Sequence, residues 1–568
     1  MQDTKRIVAC LLGVPLIAAC SQDTAAMPGG YDGGSQGSTE ASDGAGEDGN
    51  DADASSESSD STDTGPILDV GANESGTDGE DLCSVPEDGV SAPGDCVEEA
   101  PADSFAPVLQ WSWKPPSGAG SVVTPLVANF TDDDQNGSID MCDTPDVVVV
   151  TRDRGLHLLD GAGAGRHWKA AEMVAPEVTP AIGDIDGDGL VEIVTFHVAS
   201  ISPDGTSETW ELAAWNGDGT LQWSKPIPVE MYTEFASLSP LTYKAVSLAD
   251  LDADGQTEIL VGTWIWDHEG NLNDVIDEIN LSPTVNWEDE WDWNIASVAV
   301  DLDEDGDLEI IGSRAVYDHD GSMKFLLPFN DGAFPSVGDF DGDGRAEIVL
   351  TGRNGISMVE HDGTVIFTNQ EPMPPSGFNP YNRPSTVHDF DGDGVAEFAS
   401  SNGNIYAVYR PDLSILWQSA VDDLSGVASG TAFDFLGDGK AEAMYCDEEY
   451  FYAYGDDGST VMQLPRYSGT IIEYPIVVDV DNDLSAEIIV TSDSDPFGDD
   501  YPTVQVFGDA EDRWIPARRI WNQHAYHVTN VYEDGRIPTE PILNWKSFNT
   551  FRSNSQTGEN GDCIPPVD

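Results

Sequence analysis

From about residue 122 onward, short apolar runs alternate with acidic, glycine-containing turns. Val298-Ala299-Val300 and Ile476-Val477-Val478 each lead into such a turn, and a second β-prone run leaves it, as in Glu192-Ile193-Val194-Thr195-Phe196, Glu347-Ile348-Val349-Leu350 and Glu487-Ile488-Ile489-Val490. Further on stand Asp218-Gly219, Asp320-Gly321, Asp362-Gly363 and Asp457-Gly458, a dipeptide that favours tight hairpins. Each unit thus reads strand, acidic loop, strand, hairpin, which makes four strands. The loops start at 132, 184, 250, 301, 339, 389, 434 and 479, a mean spacing of about 50 residues, which is the period of propeller blades. The expected fold is all-β: a β-propeller of eight four-stranded blades over residues 106–510, with seven blades plus an accessory loop as the alternative. Val108-Leu109-Gln110-Trp111-Ser112-Trp113 echoes Leu221-Gln222-Trp223-Ser224 and is expected to close the ring by completing the last blade.

The loops carry the chemistry. Carboxylates at positions 1, 3 and 5 converge around a tight turn, glycine at 6 permits the bend, and an acid at 9 closes the shell. Calcium takes six to eight oxygens and tolerates irregular arrangements, whereas four uncompensated carboxylates would repel one another. The candidate ligands are Asp132, Asp134, Asn136 and Asp140; Asp184, Asp186, Asp188 and Glu192; Asp250, Asp252, Asp254 and Glu258; Asp301, Asp303, Asp305 and Glu309; Asp339, Asp341, Asp343 and Glu347; Asp389, Asp391, Asp393 and Glu397; Asp434, Asp438 and Glu442; and Asp479, Asp481, Asp483 and Glu487. The seventh copy has Leu436 at its second carboxylate position and the eighth has Leu484 at its glycine, so both are expected to be weaker or distorted. An EF-hand needs an acid at position 12 and flanking helices. The second to eighth copies instead carry Thr195, Val261, Gly312, Leu350, Ser400, Tyr445 and Val490 there, inside β-prone runs.

With these motifs the chain resembles the FG-GAP or VCBS repeat family, the integrin-alpha-like calcium-binding β-propellers. The resemblance implies a propeller and calcium as cofactor; it is specific for fold and metal and weak for activity.

Composition adds a location. The chain has 105 Asp+Glu against 23 Lys+Arg, a formal net charge of -82, a field that repels phosphate backbones and excludes nucleic acid as a partner. Lys5 and Arg6 precede an apolar run, Ile7 to Ala19, too short to span a bilayer. It ends in Ile17-Ala18-Ala19-Cys20-Ser21, which resembles a bacterial lipobox: residues 1–19 read as a lipoprotein signal, Cys20 as the lipidated residue, and Ser21 as the type of residue associated with outer-membrane sorting. Residues 20–82 are an acidic Ser/Gly/Asp tether expected to stay unfolded. The Gly33-Gly34-Ser35-Gln36-Gly37 match to a nucleophile elbow lies in that tether, without the strand and helix the elbow needs. The cell envelope, through a membrane anchor at the outer membrane or cell surface, is the expected address, and the chain is expected to act as a monomer.

Residues 83–105 form a Cys-containing connector. Cys83 could pair with Cys96 across a short loop, or either could bridge to Cys563; Cys142 and Cys446 complete the set, and spacing does not decide among pairings. Residues 511–568 form a basic and aromatic extension: Arg513, Arg518, Arg519, Arg536, Lys546 and Arg552 fall there, and Arg518 to His527 contains the closely spaced His524 and His527. This stretch either grips an acidic glycan or packs over one end of the ring, the second being favoured. Two histidines without a third ligand make no metal site.

The function expected is a surface-anchored, calcium-stabilised scaffold that binds a protein or glycan ligand, with no catalytic residues assigned. The alternative is a polysaccharide lyase or other carbohydrate-active enzyme, an activity some calcium-rich propellers have, and a third reading is a structural partner in an envelope complex.

Overall fold

Each blade starts with a short strand whose residues are buried on both faces and ends with one that is half exposed, so apolar density falls from the axis outward. In the computed structural model, the described residues are Cys83, 99–102, 104–202, 208–227, 244–262, 264–275, 296–328, 333–376, 380–424, 426–495, 498 and 500–557. The segment 1–19 expected to be a signal, the expected lipidation site Cys20, the expected tether 20–82, Cys96 and Cys563 lie outside them.

Eight four-stranded antiparallel sheets follow one another along the chain. From innermost to outermost strand, blade 1 runs from Leu126–Ala128 to Arg166–Lys169 and blade 2 from Ala181–Gly183 to Leu221–Pro226. Blade 3 runs from Ser247–Ala249 to Leu272–Val275, and blade 4 from Val298–Val300 to Met323–Leu326. Blade 5 spans Ala333–Gly338 to Val365–Gln370, and blade 6 Thr386–His388 to Ile415–Ala420. Blade 7 spans Gly430–Phe433 to Thr460–Pro465. Blade 8 contains Ile476–Val478, Glu487–Thr491 and Val504–Asp509, and its fourth strand is the N-terminal Pro107–Trp113. The ring therefore has eight blades, and the expected closing strand pairs Val108 with Gly508 and Trp113 with Val504. Among the described residues no helix is long and apolar enough to cross a membrane.

Blades latch to one another through the Asp-Gly hairpins. Trp111 in the closing strand donates its indole N–H to Gly161 O of blade 1 at 2.7 Å, and Trp168 of blade 1 repeats this on Gly217 O of blade 2 at 2.8 Å. Gly219 shows why glycine is needed. Its φ is +81°, and a Cβ there would meet the Trp168 ring at 2.7 Å, so a larger residue would both strain the turn and unseat the neighbour's aromatic ring.

Cys83 pairs with Cys142, which is neither of the pairings considered from spacing. The reason is an insertion: the first loop extends from the end of Leu126–Ala128 to the start of Asp146–Val150, and it carries Cys142 out to meet the connector, where Met141 N also bonds Cys83 O at 3.0 Å. Cys446 is the free cysteine among the described residues, and it is buried.

The C-terminal segment does not form an exposed cationic patch. It makes hydrogen bonds or ion pairs to all eight blades, mostly at or just beyond their innermost strands. Trp521 exchanges backbone hydrogen bonds with Val127 of blade 1, Asn522 O accepts from Ile182 N of blade 2, and Gln523 Oε1 accepts from Leu248 N of blade 3. Lys546 reaches Glu304 of blade 4 at 2.7 Å, and Asn549 makes a two-way bond with the Asp339 backbone of blade 5. Phe551 bridges Val387 of blade 6, Arg552 O accepts from Thr431 of blade 7, and Asn554 donates to Val477 O of blade 8. Trp521, Tyr526 and Arg552 are completely buried, so the expectation of packing over a ring end holds and these side chains are not available to grip a glycan. Where the segment is not turned onto itself, its backbone groups find their partners on the blades.

Candidate metal loops at one end of the ring

Because every innermost strand runs the same way, every loop that follows one emerges at the same end. The loops share two hydrogen-bond devices. The first aspartate accepts from the backbone N–H of position 6: Gly189 to Asp184 at 3.0 Å, Gly255 to Asp250 at 2.8 Å, Gly344 to Asp339 at 2.9 Å, Gly394 to Asp389 at 2.8 Å and Gly439 to Asp434 at 2.7 Å. The closing glutamate turns one oxygen back onto the N–H of position 2: Ile185 to Glu192, Leu251 to Glu258, Leu302 to Glu309, Phe340 to Glu347, Phe390 to Glu397, Phe435 to Glu442 and Val480 to Glu487, at 2.7 to 3.2 Å. Position 2 is apolar because its side chain enters the core beneath the loop, as Phe390 and Val480 do. The glutamate is thereby anchored by one oxygen, leaving the other for the loop interior.

In several loops that second oxygen, or an aspartate beside it, is buried and bonded to nothing: Glu347 Oε1, Glu487 Oε1, Asp391 Oδ1, Asp481 Oδ1 and Asp132 Oδ1. Buried acceptors are nearly always satisfied, so such orphans call for a missing donor or cation. Oxygens of Asp479, Asp481, Asp483 and Glu487 lie within 4.8 Å of one another, as do those of Asp184, Asp186 and Glu192 and those of Asp250, Asp252 and Asp254. This oxygen-only donor set fits calcium. Burial, reinforced by the loop aspartates, pushes the carboxyls of Glu192, Glu258, Glu347 and Glu442 up to about 8 and Glu397 to about 7. A divalent cation among them reverses that cost.

The irregular copies resolve individually. Leu484, where glycine was expected, adopts φ +70°, close to the +82° to +86° of Gly255, Gly344 and Gly189. The eighth loop therefore keeps its turn rather than distorting, and pays about 1 kcal/mol of left-handed strain. The seventh loop keeps Asp434, Asp438 and Glu442 around its turn, and burial pushes Asp434 up to about 6.

The first loop is displaced by three residues. Asn129 stands where other blades have their first aspartate, Phe130 takes position 2, and Asp146, at the start of the next strand, accepts from Phe130 N at 3.1 Å in place of a closing glutamate. Asp132 still holds Gly137 N at 3.0 Å, while Asp140 accepts from Cys142 N and from Asn136. The carboxylates that come together there are Asp132, Asp134 and the buried Asp143. The sequence reading missed Asp143 and Asp146. Asp143 had a signal, since it is an acid at the twelfth position of that copy; Asp146 had none, because its role depends on the strand register.

Other sequence-selected residues are structural. His524 and His527 are buried in the C-terminal segment, and burial holds His524 well below the ordinary imidazole range and His527 near about 4. Between blades 4 and 5 lies a groove of about 440 Å³ whose lining includes Asp303, Lys324, Phe325, Arg345, His361 and Asp362.

The chain carries FG-GAP-like repeats, matched over residues 184–261 and 339–400. Its fold is similar to that of the V. cholerae biofilm matrix protein Bap1, with a TM-score of 0.63 and 20% identity over 81% of this chain and 100% of Bap1. The rhamnogalacturonan lyase YesW aligns over 83% of this chain and 84% of its own at 13% identity and a TM-score of 0.47. The Bacillus licheniformis rhamnogalacturonan lyase PL11 aligns over 83% of this chain and 81% of its own at 13% identity and a TM-score of 0.44. No curated protein sequence matches the chain.

Proposed function

We propose that this chain is a calcium-stabilised binding scaffold of the bacterial cell envelope, held to the membrane through a lipid on Cys20 and presenting its propeller to a protein or glycan ligand. The observation that carries the reading is the set of buried, unbonded carboxylate oxygens in the first, fifth, sixth and eighth loops, which an oxygen-coordinated cation would satisfy. A ring clamped in this way gains shape, not a reaction centre. Ionisable groups elsewhere are spent on packing: Arg383 on Asp423 at 2.7 Å, Arg466 on Glu473 at 2.9 Å and Arg518 on Glu533 at 2.7 Å, all nearly or fully buried. The likeness to a biofilm matrix protein supports an extracellular matrix or surface setting, and the glycans of such a matrix are the first ligands to try.

The test is a screen of the purified chain against matrix and cell-surface glycans and envelope proteins, with calcium and with excess chelator. Binding that disappears in chelator and returns with calcium supports the scaffold. Turnover of a uronic-acid polysaccharide to unsaturated products overturns it in favour of a lyase.

A further inference from the structure

In blades 1, 2 and 4 one side chain of the outermost strand turns onto that blade's own loop. A β-bulge interrupts the outer pairing of all eight blades, just after the hairpin in blades 1 to 7 and in the closing strand of blade 8: at Gln110 in blade 8, His167 in blade 1, Gln222 in blade 2, Asn273 in blade 3, Lys324 in blade 4, Ile366 in blade 5, Leu416 in blade 6 and Val461 in blade 7. A bulge re-aims a side chain. Where that side chain is polar it can turn back onto the loop: His167 Nε2 lies 2.9 Å from Asp146 and Gln222 Nε2 lies 2.8 Å from Asp186. In blades 5 and 7 the bulge residue is apolar and exposed, Ile366 and Val461.

Lys324 is the bulge residue with a permanent positive charge. Its ammonium sits 2.7 Å from Asp303 and also donates to Glu309 Oε1. That oxygen is the counterpart of Glu347 Oε1 in blade 5, which is buried and bonded to nothing. A second ammonium, on Lys546 of the C-terminal segment, reaches Glu304 of the same loop at 2.7 Å. Blade 4 thus meets the charge of its carboxylates with the protein's own cations, and blade 5, with Ile366 at the bulge, does not.

We propose that Lys324 is a built-in cation that takes the place of a divalent ion in blade 4, so that this blade keeps its loop without the calcium on which its neighbours depend. The inference rests on the calcium reading of the other loops. Physically, an ammonium held by two carboxylates fills the position a metal would claim, and a cation arriving there must first expel it against charge repulsion. In blade 4 the bulge position then decides whether the loop responds to calcium: Lys324 there makes the loop autonomous, and an uncharged residue would leave it dependent.

The experiment compares the full chain with K324L, which copies the residue type at the bulge of blade 6, and K324Q, which copies blade 2. Each is crystallised with terbium in place of calcium, and anomalous density is read loop by loop. The expected result is a filled blade 5 loop in every protein, an empty blade 4 loop in the native chain, and a filled blade 4 loop in the variants. In chelator the variants melt below the native chain, and calcium closes that gap. A blade 4 peak in the native chain equal to that of blade 5 overturns the proposal, and so does an empty blade 4 loop in a variant whose blade 5 loop is filled. Empty loops throughout the native chain overturn the calcium reading itself, and this inference with it. If neither variant folds, the native comparison of blades 4 and 5 decides alone.

Discussion

Replacing Arg518 by methionine tests whether the C-terminal segment is part of the ring or an appendage. The guanidinium donates to Glu533 Oε1 at 2.7 Å, Val531 O at 2.6 Å, Tyr526 Oη at 3.3 Å and Val528 O. Its own carbonyl accepts from Asp479 N of the eighth loop at 3.2 Å and from Asn554 at 3.3 Å. Arg518 and Glu533 are 7% and 6% exposed, so water cannot replace the lost partner. Breaking a buried pair from one side strands the other charge at a cost of about 3–5 kcal/mol, and the carbonyls of Val528 and Val531 lose a donor as well, so the upper part of that range is expected. Changing Glu533 to leucine in the same protein removes the stranded anion and recovers about 2 kcal/mol or more. The assay is denaturant unfolding in saturating calcium, followed by tryptophan fluorescence, with native chain, both single variants and the double variant forming a cycle. A single-variant loss under about 1 kcal/mol, or a double variant no better than R518M, refutes the view that this segment is knitted into the ring.

Chelation should lower the melting temperature by on the order of 10 °C, since each loop saturated at a hundred times its dissociation constant contributes about 2.7 kcal/mol; Asp186→Ala and Asp341→Ala should cost more than Asp434→Ala, and an unchanged melt in chelator sinks the metal assignment. Reducing Cys83–Cys142, or replacing both cysteines by serine, should cost up to about 4 kcal/mol by the chain-entropy relation for its sequence separation of 59, read by calorimetry. His157 and His527 are buried, and burial, aided by nearby lysine and arginine charges, holds both near about 4 against an ordinary 6.5. The native state therefore binds fewer protons than the unfolded chain, so stability is complete above about 6.5 and is lost as pH falls toward 4, by up to about 3 kcal/mol per histidine. The variant His157→Gln should flatten that slope in a pH series of unfolding curves, and an unaltered slope would show that another group governs it.

Much of this architecture was legible locally. The position 1-3-5-9 acids, the glycines and the apolar position 2 lie within nine residues of one another, so one copy encodes its own loop, and eight copies at a spacing of about 50 encode the ring. Even the closing strand announced itself, because Gln110-Trp111 repeats the bulge-and-aromatic pair of Gln222-Trp223. What the copies did not encode was how each is completed. Phe130 and Asp146, not the acids of the first motif alone, frame the first loop, because the strand register counts residues from Ala128 and an insertion shifts the motif within it. Cys83 meets Cys142 for the same reason. Lys324 reads as an ordinary surface residue until the bulge turns it onto Asp303 and Glu309, and Arg518 and Arg552 read as surface charge until the folded chain buries them. Loop geometry is a short-range property, fixed by dihedral preferences and neighbouring side chains and so written in contiguous residues. The partner of a buried charge depends on which distant segment the ring closure brings within about 3 Å of it, and only the folded chain decides that.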